Sequence, residues 1–89
     1  MDSGKRNEHA KEVGVSAVSR LFAVLRALGD CGGEGEKVSQ LALRVGLAQP
    51  TTHRLLRSLI EEGMVDQCAT SKRYRLSLDL FALAAKAGQ

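Results

Sequence analysis

The feature that most constrains the fold of this chain is a short break between two amphipathic stretches near its middle. Leucine, alanine and valine recur at three- and four-residue spacing over residues 39–45, and apolar residues recur again over residues 52–60. Residues 46–48 form a break after the first pattern, and Gln49 and Pro50 then lead into the second. This periodicity is typical of helices that bury one face. The spacing therefore predicts two helices joined by a tight turn.

The ends of both helices are marked by residues that start or stop helices. Ser39 is a good N-cap for the first helix, and Gly46 ends it. Pro50 is suited to the first helical position of the second, and it biases Gln49 toward the extended geometry of an N-cap. Gly63 is the stop signal of the second helix. Its predicted buried stripe consists of Thr52, Leu55, Leu56, Leu59 and Ile60.

The chain before these helices divides into three segments. Residues 1–14 are charged and lack periodicity, which predicts a mobile, disordered tail. A first helix is predicted from Ser16, as the cap, to Gly29. Its apolar stripe is Val18, Leu21, Phe22, Leu25 and Leu28. Residues 30–36 are rich in glycine and acid and predict an exposed loop, after which Val38 is expected in one short strand.

After the second helix of the pair, the period of the sequence changes from helical to alternating. Residues 65–68 and 73–76 flank a polar turn and predict a β-hairpin in which Tyr74 and Leu76 point inward. Residues 78–89 form a trailing helix that is too apolar all round for a surface helix. We expect it to pack on a second copy or a neighbouring domain, the alternative being that it wraps the first helix.

Length and composition limit this chain to one small helical domain. It has 89 residues, of which 44% are apolar and 3% aromatic, so its core must come from leucine, valine and alanine. The predicted class is mainly α with a small β-hairpin, built as a three-helix core over residues 15–77. The longest apolar run is far shorter than a membrane span and the first dozen residues are polar, so we expect no signal peptide and a soluble, cytoplasmic protein.

The positive charge of the chain is concentrated in one stretch. The formal net charge is +3, and residues 37–75 hold seven basic against three acidic residues. Such an excess favours an anionic partner, although a solvated face with no partner produces the same pattern.

Several chemical functions are excluded by spacing. Cys31 and Cys68 are too few for a disulfide framework, and with His53 they are too scattered for a zinc site. The glycines around Glu34 do not form a phosphate-binding loop, because the Lys-Ser/Thr pair is missing and Glu36 would repel the anion. No nucleophile, base and carboxylate share a helical face, so we expect neither enzymatic activity nor a cofactor.

Two short helices separated by a turn containing glycine, followed by a basic hairpin, describe a winged helix-turn-helix. Its motif spans about residues 38–60 and its wing about 64–76. In this arrangement the second helix enters the major groove of double-stranded DNA with its N-terminal residues leading. The helical period turns Thr51, Arg54, Arg57 and Ser58 outward. The candidate DNA-binding residues are Ser39, Gln40, Gln49, Thr51, Thr52, His53, Arg54, Arg57, Ser58, Ser71, Lys72 and Arg73.

Each part of this candidate interface has a plain structural alternative. Arg57 has the spacing for a surface ion pair with Glu61, and Arg54 for a hydrogen bond to the first helix. The hairpin tip around Lys72 would meet backbone phosphate or the minor groove, or would simply be solvated. The alternative function is a winged-helix module for protein–protein interaction with incidental DNA affinity.

The sequence also resembles a known family. Residues 46–56 (GLAQPTTHRLL), 61–65 (EEGMV) and 74–76 (YRL) are similar to the DNA-binding domain of the isocitrate lyase regulator (IclR) family of bacterial transcription factors. The resemblance implies a winged helix-turn-helix followed by a linker helix, here residues 78–89. It also implies action as a homodimer or higher oligomer on palindrome-like sites, and a larger C-terminal domain that senses small metabolites. We expect that domain to be missing here, either because the chain is an excised domain or because it is a naturally short protein.

The resemblance assigns Gln49, Thr51, His53 and Arg54 to the recognition helix, and Lys72 and Arg73 to the wing. There are departures from the family pattern. Ala48 stands where proline is usual, and Pro50 replaces a small hydroxyl residue, so one phosphate contact is expected to be lost. Met64 replaces a usual aromatic, Ser77 a usual glycine, and the acidic glycine loop is longer than typical.

Overall fold

The computed structural model describes the backbone of residues 3–87 and the side chains of residues 17–87. The elements in chain order are α1 (Ser3–Cys31), a 3-10 turn (Gly32–Glu34), α2 (Val38–Val45), α3 (Gln49–Glu61), β1 (Val65–Gln67), β2 (Tyr74–Leu76) and α4 (Leu78–Ala87). The predicted mainly α class with a small hairpin is confirmed, and the order is that of a winged helix-turn-helix.

The core lies where the first three helices meet the hairpin. Leu28 of α1, Leu41 of α2 and Leu56 of α3 are each at most 1% exposed. Val65 and Tyr74 pack the hairpin against this cluster. Burying each leucine side chain contributes about 1.5–3 kcal/mol. These contacts hold α3 at a set angle to α1 and leave its opposite face to solvent.

The helix α1 is much longer than the sequence pattern predicted. Its backbone is helical from Ser3, so the expected tail over residues 1–14 is helical except for the first two residues, which lie outside the described part. Ser16 lies inside the helix and does not cap it. The helix also passes Gly29 and ends at Cys31. Extending an existing helix adds a hydrogen bond for each residue, so a packed C-terminal half can propagate into a segment rich in helix-forming residues.

Two predicted helix starts are displaced toward the N-terminus, that of α2 by two residues and that of α3 by one. α2 begins at Val38, with Lys37 as its extended N-cap residue (φ −82°, ψ 155°), so Val38 is not in a strand and Ser39 is not the cap. α3 begins at Gln49, with Ala48 as its extended N-cap residue (φ −64°, ψ 148°). Neither N-cap side chain accepts a hydrogen bond from the helix. Packing of the helices on the core therefore outweighs the preference for polar caps.

The wing is a two-stranded antiparallel hairpin. Val65 pairs with Leu76, and Gln67 pairs with Tyr74. Each strand is one residue shorter at the turn than predicted, because Cys68 and Arg73 close the loop instead. Tyr74 is buried at 3% exposure and Leu76 is half-buried, which confirms their inward direction.

The helix α4 leaves the core without burying any of its residues. Leu78 is 81% exposed and Phe81 65% exposed. The alternative that this helix wraps α1 is therefore wrong. Ser77 caps it, since its Oγ accepts a hydrogen bond from the N–H of Leu80 at 3.2 Å and donates one to the carbonyl of Gly63 at 2.6 Å. Over the described residues, every helix is too short or too polar to cross a membrane.

Candidate nucleic-acid interface

The solvent face of α3 presents cationic and hydrogen-bonding side chains. His53, Arg54, Arg57 and Ser58 are exposed, as is Gln49 at the start of the helix, and Thr51 is half-buried. Thirteen helical residues extend over about 20 Å. An α-helix fits the DNA major groove, which is about 12 Å wide. The N-terminal half of this face is therefore suited to an anionic groove.

Among the predicted contact residues on α3, Thr52 is the one whose side chain is buried. Its side chain is fully buried, and its Oγ1 donates a hydrogen bond to the carbonyl oxygen of Ala48 at 3.0 Å. A buried hydroxyl with its partner inside the helix cannot reach DNA. Thr52 instead fixes the turn that precedes α3. Ser39 and Gln40 lie exposed on the first turn of α2, where their side chains are accessible to a ligand.

Within residues 17–87, neither structural alternative for the two arginines of α3 is formed. No ion pair joins Arg57 to Glu61 within 4 Å, and within residues 17–87 Arg54 makes no hydrogen bond to α1. Both guanidinium groups are exposed. Among the described residues nothing occupies their hydrogen-bond donors, which are therefore available to a binding partner.

A cleft of about 240 Å³ separates α3 from the wing. Its lining residues are His53, Arg57, Ile60, Glu61, Gln67 and Tyr74. Gln67 was missed by the sequence analysis, because alternation on a strand predicts its exposure but not which element faces it. Its Nε2 donates a hydrogen bond to the carbonyl of Lys72 at 3.1 Å, which connects the cleft to the tip of the wing.

The tip of the wing is a loop closed by hydrogen bonds between its own residues. Lys72 adopts a left-handed conformation (φ 65°), and its N–H donates to the carbonyl of Cys68 at 2.8 Å. The Oγ of Ser71 accepts a hydrogen bond from the N–H of Arg73 at 3.2 Å, so this hydroxyl is used within the loop. The side chain of Lys72 is exposed and makes no ion pair in the described region.

Arg73 is directed toward the body of the domain. Its Nη1 donates a hydrogen bond to the carbonyl of Gly35 at 3.2 Å and lies 3.8 Å from Oε1 of Glu36. The other carboxylate oxygen of Glu36 is 3.7 Å from Nη2 of Arg44 on α2. The sequence placed Glu36 in an exposed loop. Its partners are far along the chain, so no local pattern signals the pairing.

Cys68 carries an unusual thiol in the wing loop. Hydrogen bonds from Ser71, and then from Thr70, lower the pKa of Cys68 from its ordinary 9.0 to about 6. The Thr70 Oγ1 lies 3.3 Å from its sulfur. Hydrogen bonds to the thiolate stabilise the charged form, which lowers the pKa. Among the described residues, no group of three or more histidine, cysteine or acidic side chains lies close enough to hold a metal ion.

With these elements in place, comparison with known proteins decides the family. The model of the IclR helix-turn-helix domain matches residues 17–68, which include α2, α3 and β1. The chain belongs to the IclR family. The helix α3 is therefore the second helix of an IclR helix-turn-helix, as the resemblance implied.

The relatives of this IclR-family chain are regulatory proteins by name. It is 39% identical over 75 residues to the HTH-type transcriptional regulator KdgR of Dickeya chrysanthemi, covering 84% of this chain and 24% of that protein. It is 43% identical over 70 residues to the glycerol operon regulatory protein of Streptomyces griseus, covering 78% of this chain and 27% of that protein. The chain thus spans about a quarter of the length of the curated relatives it matches.

A solved structure has the same architecture. The crystal structure of Pseudomonas aeruginosa HmgR superposes with a TM-score of 0.71 at 27% identity, covering 79% of this chain and 28% of that chain. A shared fold at this identity supports the IclR-type winged helix-turn-helix over most of the described residues.

Proposed function

We propose that this IclR-family domain binds double-stranded DNA in a sequence-dependent manner and regulates transcription by occupying a site. The observation that carries the proposal is the exposed face of α3, where Arg54 and Arg57 form no ion pair within residues 17–87 and no carboxylate occurs before Glu61. The family membership and the named relatives support regulation of transcription. The mechanism is occupancy and includes no chemical step.

The proposed roles follow from the hydrogen-bonding groups of each side chain. An arginine such as Arg54 can donate two hydrogen bonds to one guanine, and Gln49 can pair in the same way with adenine. Thr51 can donate to a base or contact a thymine methyl group. His53 and Lys72 are proposed to contact phosphate, which sets the register of the protein on the duplex without reading sequence.

The first experiment is a titration of a fluorescently labelled random-sequence duplex with the chain, followed by anisotropy at several salt concentrations. We expect micromolar-range binding that weakens as salt rises. Changing Arg54 and Arg57 together to alanine should abolish it. The matched control changes Arg20 and Arg26, which are exposed on α1, together to alanine. This double change removes the same charge from a different helix. This control should retain most of the affinity.

The outcomes separate the two functions considered from the sequence. Equal losses in both double variants would mean that net charge alone attracts DNA. Absence of binding at low salt would contradict the proposal and favour the protein-interaction module. A partner bound through an apolar face would show little dependence on salt.

Self-association through α4 is proposed on the exposure of its apolar side chains. Leu78, Phe81 and Leu83 are 81%, 65% and 55% exposed. Several large exposed apolar side chains on one short helix are typical of an interface. We expect light scattering to detect a dimer at high concentration, and Phe81→Lys to shift it to monomer. A strict monomer would contradict the proposal. A metabolite effector acting through a C-terminal domain stays a prediction from the resemblance. A cytoplasmic, nucleoid-associated location stays a prediction from the sequence.

A further inference from the structure

Glu36 lies at the junction between the 3-10 turn, α2 and the wing. Its side chain is only 17% exposed, although the surrounding loop is rich in glycine and solvent-facing. Its backbone N–H donates to the carbonyl of Tyr74 at 2.9 Å, and the N–H of Tyr74 donates back to the carbonyl of Glu36 at 2.8 Å. This pairing adds a third short segment to the two-stranded hairpin.

The carboxylate of Glu36 contacts groups from two different parts of the fold. Oε1 accepts a hydrogen bond from the N–H of Lys37 at 3.0 Å, at the start of α2. The same oxygen lies 3.8 Å from the guanidinium of Arg73 in the wing, and Oε2 lies 3.7 Å from that of Arg44 in α2. One carboxylate therefore connects a cation of the wing to a cation of the helix-turn-helix.

These contacts supply what the wing lacks by itself. A two-stranded hairpin with three residues per strand is at best marginally stable alone in water. Its attachment to the helices includes Tyr74, the two backbone hydrogen bonds to Glu36 and the guanidinium of Arg73. Removing the carboxylate would leave Arg44 and Arg73 as neighbouring like charges, which repel each other. The wing would then lose its fixed position relative to α3.

We propose that Glu36 is a positioning residue: it holds the wing against the helix-turn-helix, so that Lys72 is held at a fixed place beside α3 and can contact the DNA backbone. Arg73 serves this attachment and is not itself a DNA contact. The inference rests on the proposed function, since it concerns how the wing reaches DNA. The attachment itself exists without DNA and is tested separately below.

The simplest competing explanation is that Glu36 acts only as a negative charge that repels phosphate. Glu34 provides a matched control, because it is exposed in the same loop and forms no ion pair within residues 17–87. Glu36→Gln and Glu34→Gln change the net charge equally. A pure charge effect would therefore strengthen DNA binding to a similar extent in both variants.

The DNA experiment measures the salt dependence of binding to a labelled random-sequence duplex. The slope of log affinity against log salt reports how many phosphates are neutralised. Lys72→Ala should lower this slope by about one in the wild-type and Glu34→Gln backgrounds. Glu36→Gln should already show the lower slope, and adding Lys72→Ala should change it no further. If Glu36→Gln behaves as Glu34→Gln does, and Lys72→Ala retains its full effect, the proposal is overturned.

A second measurement without DNA keeps the attachment testable on its own. Amide hydrogen exchange of the Glu36 and Tyr74 N–H groups should become faster in Glu36→Gln, by about tenfold, because local opening of the wing costs less free energy. The amide of Leu56 in the core should keep its protection, which checks that the domain remains folded. Unchanged exchange at Glu36 and Tyr74 would contradict the proposal.

Removing the other partner tests the same attachment if Glu36→Gln fails to fold. Arg73→Gln should reproduce the reduced slope and the faster exchange, whereas Arg75→Gln, at an exposed position on β2, should leave the exchange unchanged. If Arg73→Gln alters neither the exchange nor the Lys72 effect, the proposal is wrong. If the wild-type chain does not bind the duplex, the proposed function fails, while the exchange data still decide whether Glu36 positions the wing.

Discussion

The backbones of Glu36 and Tyr74 exchange two hydrogen bonds, of 2.9 and 2.8 Å, and so attach the connection between α1 and α2 to the wing. This pairing brings Gly35 against the strand. Gly35 is buried with φ of 75°, and a Cβ at this position would clash with the carbonyl oxygen of Tyr74. Only glycine fits this position, because the conformation and the close approach both exclude a side chain.

Gly35→Ala is therefore expected to destabilise the domain by about 2–4 kcal/mol, since the left-handed conformation and the displaced strand both cost free energy. The free energy of unfolding measured with urea checks this value. Gly32→Ala separates the two contributions, because Gly32 also has positive φ (72°) but open space around it. It should cost about 1–2 kcal/mol. Equal losses in the two variants would mean that the close approach to Tyr74 contributes nothing.

Arg54→Ala and Lys72→Ala are expected to weaken DNA binding in different ways. Arg54, if it reads a base, should contribute about 1–3 kcal/mol on a specific site and much less on random DNA. Lys72 should weaken binding to all sequences alike and lower the salt slope by about one. Anisotropy on a duplex selected from a random pool by the wild-type chain, compared with a random duplex, measures both effects. Equal losses on the two duplexes for Arg54→Ala would defeat its base-reading role.

Thr52→Val is expected to affect stability and leave DNA binding unchanged. The variant retains the shape of the side chain but removes the buried hydrogen bond to Ala48, which costs about 1 kcal/mol. Thr51→Val is the matched change on the outward side, where the side chain is half-buried, and it should weaken DNA binding with little effect on unfolding. Thermal unfolding and anisotropy together distinguish the two. A clear loss of DNA affinity in folded Thr52→Val would show that this residue acts at the interface after all.

The thiol of Cys68 is expected to react as a thiolate at neutral pH. Its pKa is lowered from 9.0 to about 6, so its alkylation by iodoacetamide should reach half its maximal rate near pH 6. Mass spectrometry of the peptide that contains Cys68 measures this rate. Ser71→Ala should raise this midpoint more than Thr70→Ala, because the Ser71 hydrogen bond is the largest cause. Ser58→Ala should have no effect. A midpoint near pH 9 in the unmodified chain would contradict the hydrogen-bonded thiolate.

The same shift fixes the sign of a stability change with pH. A group whose pKa is lower in the folded state stabilises the fold above its unfolded pKa and loses this contribution as pH falls through the folded value. For Cys68 the contribution is complete above about pH 9 and disappears below about pH 6. As pH falls from about 9 to about 6, the free energy of unfolding of the wild-type chain should therefore decrease slightly more than that of Cys68→Ser. Urea unfolding at several pH values measures this difference.

The helix pair and the hairpin were predictable because their signals are local. The period of Leu56 and Leu59 marks the buried face of α3, Gly46 ends α2 with φ of 71°, and alternation marks Tyr74 as inward. The exposure of Arg54 and Arg57 follows from the same helical period. The boundaries were less predictable, since helix starts at Val38 and Gln49 depend on packing more than on the residue at the cap.

What the sequence determined by itself was the kind of domain: apolar spacing and turn residues act within a few positions of each other, and they specify the helices, the wing and the cationic face of α3. What only the tertiary structure decided was how those parts are joined. The burial of Thr52, the inward direction of Arg73 and the partners of Glu36 depend on segments that are distant in the chain and meet only when the core forms. Burial and ion pairing arise from that proximity in space, which local periodicity does not encode.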